Sequence, residues 1–236
     1  MIPRPGMIIF DCDGVLVDSE LIKCEVVAHH LAPLGISIAA RAILERFTGV
    51  PEREMYRTLS SETGVTIPPE HIAHIHALKI SHCGEKGAAL AMPGIHECLD
   101  ELRGVAVCVA SSSSPDMLGH LLRQARLWDR FAPHVFSAAQ VERGKPAPDL
   151  FLLAAQRMGV APERCVVVED SLAGIAAATA AAMTPIGFAG GCHCGPDHVD
   201  KLRRAGAGPV FMTMPSLAEH LSALFRNRVA GAPSGS

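Results

Sequence analysis

The chain has 236 residues, 49% of them hydrophobic and 19% charged, with a formal net charge of -3. That size allows one α/β domain or a core with a smaller insert, and the mild acidity with scattered Lys and Arg excludes a nucleic-acid surface. The lack of an apolar run of ~18 residues argues against a membrane span. The first residues lack a signal-peptide core, and eight cysteines in a chain so long and poor in loops do not suggest a stapled secreted fold; the expectation is a cytoplasmic protein with reduced thiols, a monomer or at most a weak dimer.

The first predicted strand is Met7–Phe10, a short apolar run. It ends on Asp11-Cys12-Asp13-Gly14. In an open α/β sheet ligands bind beyond the carboxyl ends of strands, so Asp11 and Asp13 are expected there, with Gly14 allowing a sharp turn. Cys12 alternates away from the two acids and reads as a packed side chain. From 19 to 86 no strand is predicted. Residues 20–34, 39–47, 52–63 and 69–84 read as four helices, punctuated by Gly35, Gly49-Val50-Pro51 and Pro68-Pro69.

After this block strands and helices alternate. Strands are predicted at 105–110, 134–137, 165–169, 184–188 and 209–211. Helices are predicted at 94–103, 115–127, 148–158, 171–183, 197–205 and 216–228. Alternation of this kind implies a parallel sheet covered on both faces. The helix over 171–183 is apolar nearly all round and reads as buried. The resulting division is a core of 1–18 and 87–228, a helical insert of 19–86 and a flexible tail of 229–236.

Four strand ends carry polar residues: Asp11 and Asp13; Ser111; Lys145 in Lys-Pro-Ala-Pro-Asp; and Glu169-Asp170-Ser171. Two close carboxylates repel unless a cation or a proton lies between them. Mg2+ takes oxygen ligands, and Asp11, one or both of Glu169 and Asp170, and the backbone carbonyl of Asp13 are candidates. Ser111 and Lys145 suit a phosphate's outer oxygens, as hydroxyl donor and point charge. Singly, each has a plainer reading: Asp170 or Ser171 as a helix cap, Ser114 as an N-cap before Pro115, Lys145 as a solvated charge. The conjunction favours metal-assisted phosphoryl transfer. Cys192-His193-Cys194 is too tightly spaced for a usual zinc site and reads as a flexible or substrate-proximal loop. His71, His74, His76 and His82 read as a solvated or cleft-lining helix face.

In order and spacing, these four motifs resemble those of the haloacid dehalogenase superfamily, over most of the chain. The resemblance implies a Rossmann-like core with a four-helix cap inserted after the first strand. It implies Asp11 as the nucleophile that becomes an aspartyl phosphate, Asp13 as general acid and base, and Ser111 and Lys145 as phosphate ligands. It also implies a Mg2+ shell of Asp11, the Asp13 carbonyl, Glu169 and Asp170. The branch it is most similar to holds β-phosphoglucomutase and sugar phosphatases. Where the mutase carries a cap-side histidine this chain has Lys23, and the mutase's cap arginine falls near Glu52 or Arg53 in register with neither. Both departures favour hydrolysis of a small phosphorylated metabolite, a sugar or sugar-acid phosphate, over phosphohexose mutation. Substrate contacts are expected from Ser19, Glu20, Lys23, Thr48, Gly49, Arg53 and Ser112, with Arg46 and Lys79 as further candidates.

Overall fold

The structure, a computed structural model, describes residues 5–47 and 50–226. Its strands are β1 (Met7–Phe10), β2 (Ala106–Ser111), β3 (Val135–Ser137), β4 (Cys165–Glu169), β5 (Thr184–Phe188) and β6 (Val210–Phe211). Its helices are α1 (Glu20–Leu31), α2 (Ala40–Phe47), α3 (Glu52–Thr63), α4 (Pro69–Lys86), α5 (Ile95–Glu101), α6 (Pro115–Gln124), α7 (Trp128–Phe131), α8 (Asp149–Met158), α9 (Leu172–Ala180), α10 (His198–Arg204) and α11 (Met214–Arg226). The strands form one sheet in the order β3-β2-β1-β4-β5-β6, and every neighbouring pair is parallel. Among the described residues no helix is long and apolar enough to cross a membrane.

The period-two alternation of the strands divides the core. Ile8, Phe10, Val109, Val166 and Val168 face one layer, where they pack with Ile95 and Leu99 of α5, Leu118 and Leu121 of α6, and Leu217 and Leu221 of α11. Met7, Ile9, Cys108 and Val167 face the other, against Leu150, Phe151 and Ala154 of α8 and Ala177 and Ala178 of α9. Cys12 is buried in the first layer, as its alternation predicts, and all eight cysteines are free thiols.

The helices α1 to α4 share a separate apolar cluster built on Val27, Leu31, Ile43, Leu44, Met55, Tyr56, Leu59 and Ile75. The chain enters and leaves this helical block along two segments that run side by side. The Asp18 N–H donates to the Leu90 carbonyl at 2.9 Å, and the Met92 N–H donates to Leu16 at 2.9 Å.

Several boundaries differ from the sequence expectation. The predicted helix over 20–34 stops at Leu31, and Ala32–Leu34 tighten into a 3-10 turn, where Pro33 has no N–H to continue the ladder. The helix expected over 171–183 is shorter at both ends: Ser171 is its N-cap, its hydroxyl accepting from the Gly174 N–H at 3.0 Å, and the left-handed Ala182 (φ 58°) lies beyond its end. The four-residue α7 was not expected, being too short to show a helical period. The tail at 229–236 and the end of the last predicted helix, 227–228, lie outside the described residues.

Candidate active site

The parallel register sets the site. Phe10 pairs with Val109 on one side and with Val168 on the other, so Asp11 comes level with Glu169, and Ser111 and Asp170 fall one residue further along. Asp11, Ser111, Glu169 and Asp170 therefore stand at one edge, where strand order reverses beside the first strand. Lys145 reaches them from the turn before α8. A cavity of about 600 Å³ opens there, lined by Asp11, Asp13, Ser111, Ser112, Ser113, Lys145, Glu169 and Asp170 on the sheet side. Its opposite wall includes Glu20 and Lys23 of α1, Glu52 and Arg53 of α3, and His76 and Lys79 of α4.

At the sheet edge the Lys145 ammonium donates to Asp11 Oδ1 and to Glu169 Oε1, each at 2.5 Å. The second oxygen of Glu169 accepts from the Ser171 N–H at 2.7 Å and hydroxyl at 2.9 Å. Gly174 makes this possible, because a Cβ there would collide with the Glu169 carboxylate; the glycine serves the acid as well as the packing of α9. Ligand oxygens of Asp11, Glu169 and Asp170 all lie within 4.8 Å of one another, and all three residues are buried. Burial raises the pKa of Asp11 well above the usual carboxylate range. Lys145 opposes this, and the neighbouring acids add to it. Burial also raises Asp170, against the hydrogen bond from His193. Burial acts against the charge on Lys145, but Asp11 and Glu169 outweigh it and hold the ammonium above its ordinary value. Three hard oxygen donors in a space too crowded for three bare negative charges fit a divalent cation such as Mg2+.

Asp13 is held differently. Its Oδ1 accepts from the Ser19 hydroxyl at 2.5 Å and lies 2.9 Å from the Lys23 ammonium. Its Oδ2 accepts from the Ser113 hydroxyl at 2.6 Å. Burial works to raise its pKa, but Lys23 and the two hydroxyls prevail and hold it below the carboxylate range. Lys23 also donates to Glu20 at 2.7 Å, and the two acids outweigh burial to keep it firmly charged. Gly14, at φ +81°, turns the chain directly after this acid, in a conformation that L side chains rarely adopt.

Most of the expected residues converge on the cavity, and some do not. Glu20, Lys23, Arg53, Ser112 and Lys79 line it, Arg53 as an exposed side chain. Lys79 is paired with Glu52, which also accepts from the Tyr56 hydroxyl at 3.0 Å. Ser19 is a correction: it is fully buried behind the cavity wall and spends its hydroxyl on Asp13, so it orients an acid and presents nothing to a substrate. Arg46 is another, since its guanidinium pairs with Glu62 on the outer surface. Thr48 and Gly49 lie outside the described residues. The carboxylate of Asp13 is not part of the three-acid cluster; its oxygens are taken up by Ser19, Lys23 and Ser113. Of the two caps considered at 170–171, Ser171 is the one that accepts from the helix.

Cys192-His193-Cys194 does not line the cavity; it packs behind it. His193 Nε2 lies 2.8 Å from Asp170 Oδ2, and the Cys192 N–H donates to the Asp18 carboxylate at 3.0 Å. Sequence reasoning missed the roles of Ser113 and His193. The first belongs to a run of four serines whose members look alike in one dimension, and the second is distant in sequence from the acid it meets. His76, which lines the cavity, is joined to Asp116 of α6 at 2.9 Å. His71 instead bonds the His30 carbonyl.

Comparison with known proteins agrees with this geometry. Residues 6–182 match the haloacid dehalogenase-like hydrolase family. The chain is 29% identical over 193 residues to the 6-phosphogluconate phosphatase of Escherichia coli K12, covering 82% of this chain and 86% of that one. It is 32% identical over 194 residues to hexitol phosphatase A of the same organism, covering 78% and 79%. Among solved structures, a haloacid dehalogenase-like protein of unknown function from Agrobacterium tumefaciens superposes with a TM-score of 0.81 at 36% identity, over 93% of this chain and 99% of that one. With the acid pair, the lysine and the hydroxyl all on one sheet edge, this chain belongs to the haloacid dehalogenase-like hydrolase family, as a phosphoric monoester hydrolase.

Proposed function

We propose that the protein hydrolyses a small phosphorylated sugar or sugar acid through an aspartyl-phosphate intermediate, with Mg2+ as its cofactor. The observation that carries this reading is the convergence of Asp11, Asp13, Ser111 and Lys145 on one cavity whose far wall is the helical block. In this reading residues 19–86 act as a cap over the core of 1–18 and 87–228. The Asp11 carboxylate attacks phosphorus, and the bond from phosphorus to the substrate's bridging oxygen breaks. Asp13, ionised before substrate binds, takes the proton that a phosphomonoester monoanion carries and gives it to that oxygen; it then takes one from the water that attacks the phosphorylated Asp11, whose bond to phosphorus breaks as phosphate leaves. The Ser111 hydroxyl and the Lys145 ammonium hold the outer phosphoryl oxygens. Asp11, Glu169, Asp170 and the Asp13 carbonyl would hold Mg2+, which supplies positive charge beside the phosphoryl group.

The substrate class has two supports. The relatives named above carry sugar-acid and sugar-alcohol phosphates in their names. The cavity wall offers the ion-paired couples Glu20–Lys23 and Glu52–Lys79, which alternate acceptors and donors as a row of hydroxyl groups requires. A mutase on this scaffold needs a second sugar hydroxyl as acceptor in place of water. Lys23, ion-paired to Asp13, stands where the mutase carries its histidine, and this favours water.

Phosphate release from a panel of sugar and sugar-acid phosphates, with Mg2+ and with a chelator, tests the reading. Release that needs Mg2+ and is fastest on such substrates is expected; full activity in chelator contradicts the cofactor. With β-glucose 1-phosphate and a trace of the 1,6-bisphosphate, glucose 6-phosphate formed faster than phosphate would establish the mutase instead.

A further inference from the structure

We propose that His193 is a positioning residue, whose imidazole holds the Asp170 carboxylate in the orientation that serves the divalent cation. This rests on the metal reading above. The loop after β5 carries His193 to a point behind Asp170, on the side away from the cavity. There Nε2 lies 2.8 Å from Asp170 Oδ2, with the two side chains 1% and 4% exposed. A carboxylate oxygen can only accept, so Nε2 carries the proton and donates it. Solvent does not compete for either group. The same acid is gripped a second time, because His198 Nε2 donates to the Asp170 backbone carbonyl at 2.6 Å. Side chain and main chain of one acid are thus each fixed by an imidazole from one short stretch of chain.

The surrounding backbone is shaped around the His193 ring. A Cβ added at Gly14 would come within 2.8 Å of the ring's Cε1, and one added at Gly191 within 2.6 Å of Cε1 and Nδ1. At Gly14 the added Cβ would strike the Asp170 carboxylate first and then the ring, so the bare backbone there accommodates the His193–Asp170 pair, while that at Gly191 accommodates the ring itself. His193 Nδ1 is buried with no partner. Leaving a buried polar atom without a partner is destabilising, so the ring is not there for stability alone, and a retained cost of this kind is expected where a group has a task. Carboxylates and imidazoles that orient a metal ligand from behind act in this way.

His193, Cys194 and His198 do lie within 4.8 Å of one another, which raises a soft metal as a rival use of the ring. His193 Nε2 also lies 3.4 Å from Cys194 Sγ, but it is closer to Asp170 Oδ2, His198 Nε2 is bonded to the Asp170 carbonyl, and His193 Nδ1 lacks the partner that a metal-bound imidazole keeps on its other nitrogen.

Calorimetric titration with Mg2+ of the wild type, His193→Leu, His193→Gln and Gly191→Ala tests the assignment, with melting of the metal-free proteins as the folding control. His193→Leu and Gly191→Ala, the second displacing the ring without removing it, should each weaken Mg2+ about 10- to 100-fold. His193→Gln, whose amide can donate from near the Nε2 position, should remain within a few-fold of the wild type. If His193→Leu does not fold, Gly191→Ala carries the test. An unchanged constant in the folded variants, or tighter Mg2+ binding in both His193 variants, overturns the inference while leaving the metal reading intact. Absence of Mg2+ binding by the wild type overturns the metal reading and this inference with it. A thiolate-to-cobalt absorption band on Co2+ addition, lost in Cys194→Ser and His193→Leu, would assign the ring to a metal of its own and also overturn it.

Discussion

The two walls of the cavity are built on different principles. On the sheet side, Asp11, Ser111, Glu169 and Asp170 follow strands whose parallel register brings them to one edge, so the backbone itself sets their spacing. On the helical side, Glu20, Lys23, Glu52 and Lys79 lie on three helices with an apolar cluster of their own, and ion pairs set their positions. Asp13 stands on the boundary. Its backbone belongs to the sheet edge, while its carboxylate is held by Ser19, by Lys23 of the helical block and by Ser113. The comparison separates two kinds of control: on the proposed mechanism the rigid wall holds the nucleophile, Asp11, and the helical wall, through Lys23, sets the charge of the proton-transferring acid, Asp13.

Substitutions can break this division, and the largest effect belongs to the rigid wall. Asp11→Asn should lower kcat by several orders of magnitude, since it removes the nucleophile. It should leave the melting temperature unchanged or higher, because one of three crowded buried acids is neutralised. Steady-state kinetics alongside thermal melting checks both. Asp13→Asn comes next, with a loss of roughly 10²- to 10⁴-fold on alkyl phosphates. The loss should be smaller on p-nitrophenyl phosphate, whose leaving group departs without a proton; a comparable loss on both substrates would mean that Asp13 does not protonate the leaving group.

Lys23→Met should act through Asp13. Removing one partner of a buried pair costs about 3–5 kcal/mol, and the hydroxyls of Ser19 and Ser113 should keep the loss at the lower end. The folded-state pKa of Asp13 is depressed, so the stabilisation it provides is present above its unfolded value and is lost as pH falls through its folded value. The difference in stability between wild type and Lys23→Met should therefore be full at neutral pH and shrink below about pH 4, as denaturant melts across pH 3–8 would show. A difference independent of pH would separate Lys23 from Asp13. Arg46→Ala marks the small end. Its pair with Glu62 is on the outer surface, and such pairs contribute little, so kcat, KM and melting temperature should all stay at wild-type values.

Legibility in the sequence follows the same division. Apolar runs that end on Asp-x-Asp, Ser and Glu-Asp carry strand position and chemistry together, so the rigid wall was readable along with the parallel sheet. The helical wall was not, because helical periodicity places a residue on a face without naming its partner. Lys23 and Lys79 were placed near the cavity, but their pairing with Asp13 and Glu52 was not foreseen. Ser19 was read as a substrate contact, although it sits beside Asp18 in a stretch whose two neighbouring chain segments bury it. His193 stood in a motif whose tight spacing argued against zinc, and nothing local pointed to an acid 23 positions earlier.

The claim on which the rest depends is that Asp11 is the nucleophile. Rapid acid quench during turnover, followed by digestion and mass spectrometry, measures it directly. A phosphoryl group on the peptide that contains Asp11 is expected in the wild type, at higher occupancy in Asp13→Asn, where the water that clears the intermediate lacks its base. No phosphoryl group on Asp11 in either protein, together with turnover retained in a folded Asp11→Asn variant, would contradict the account.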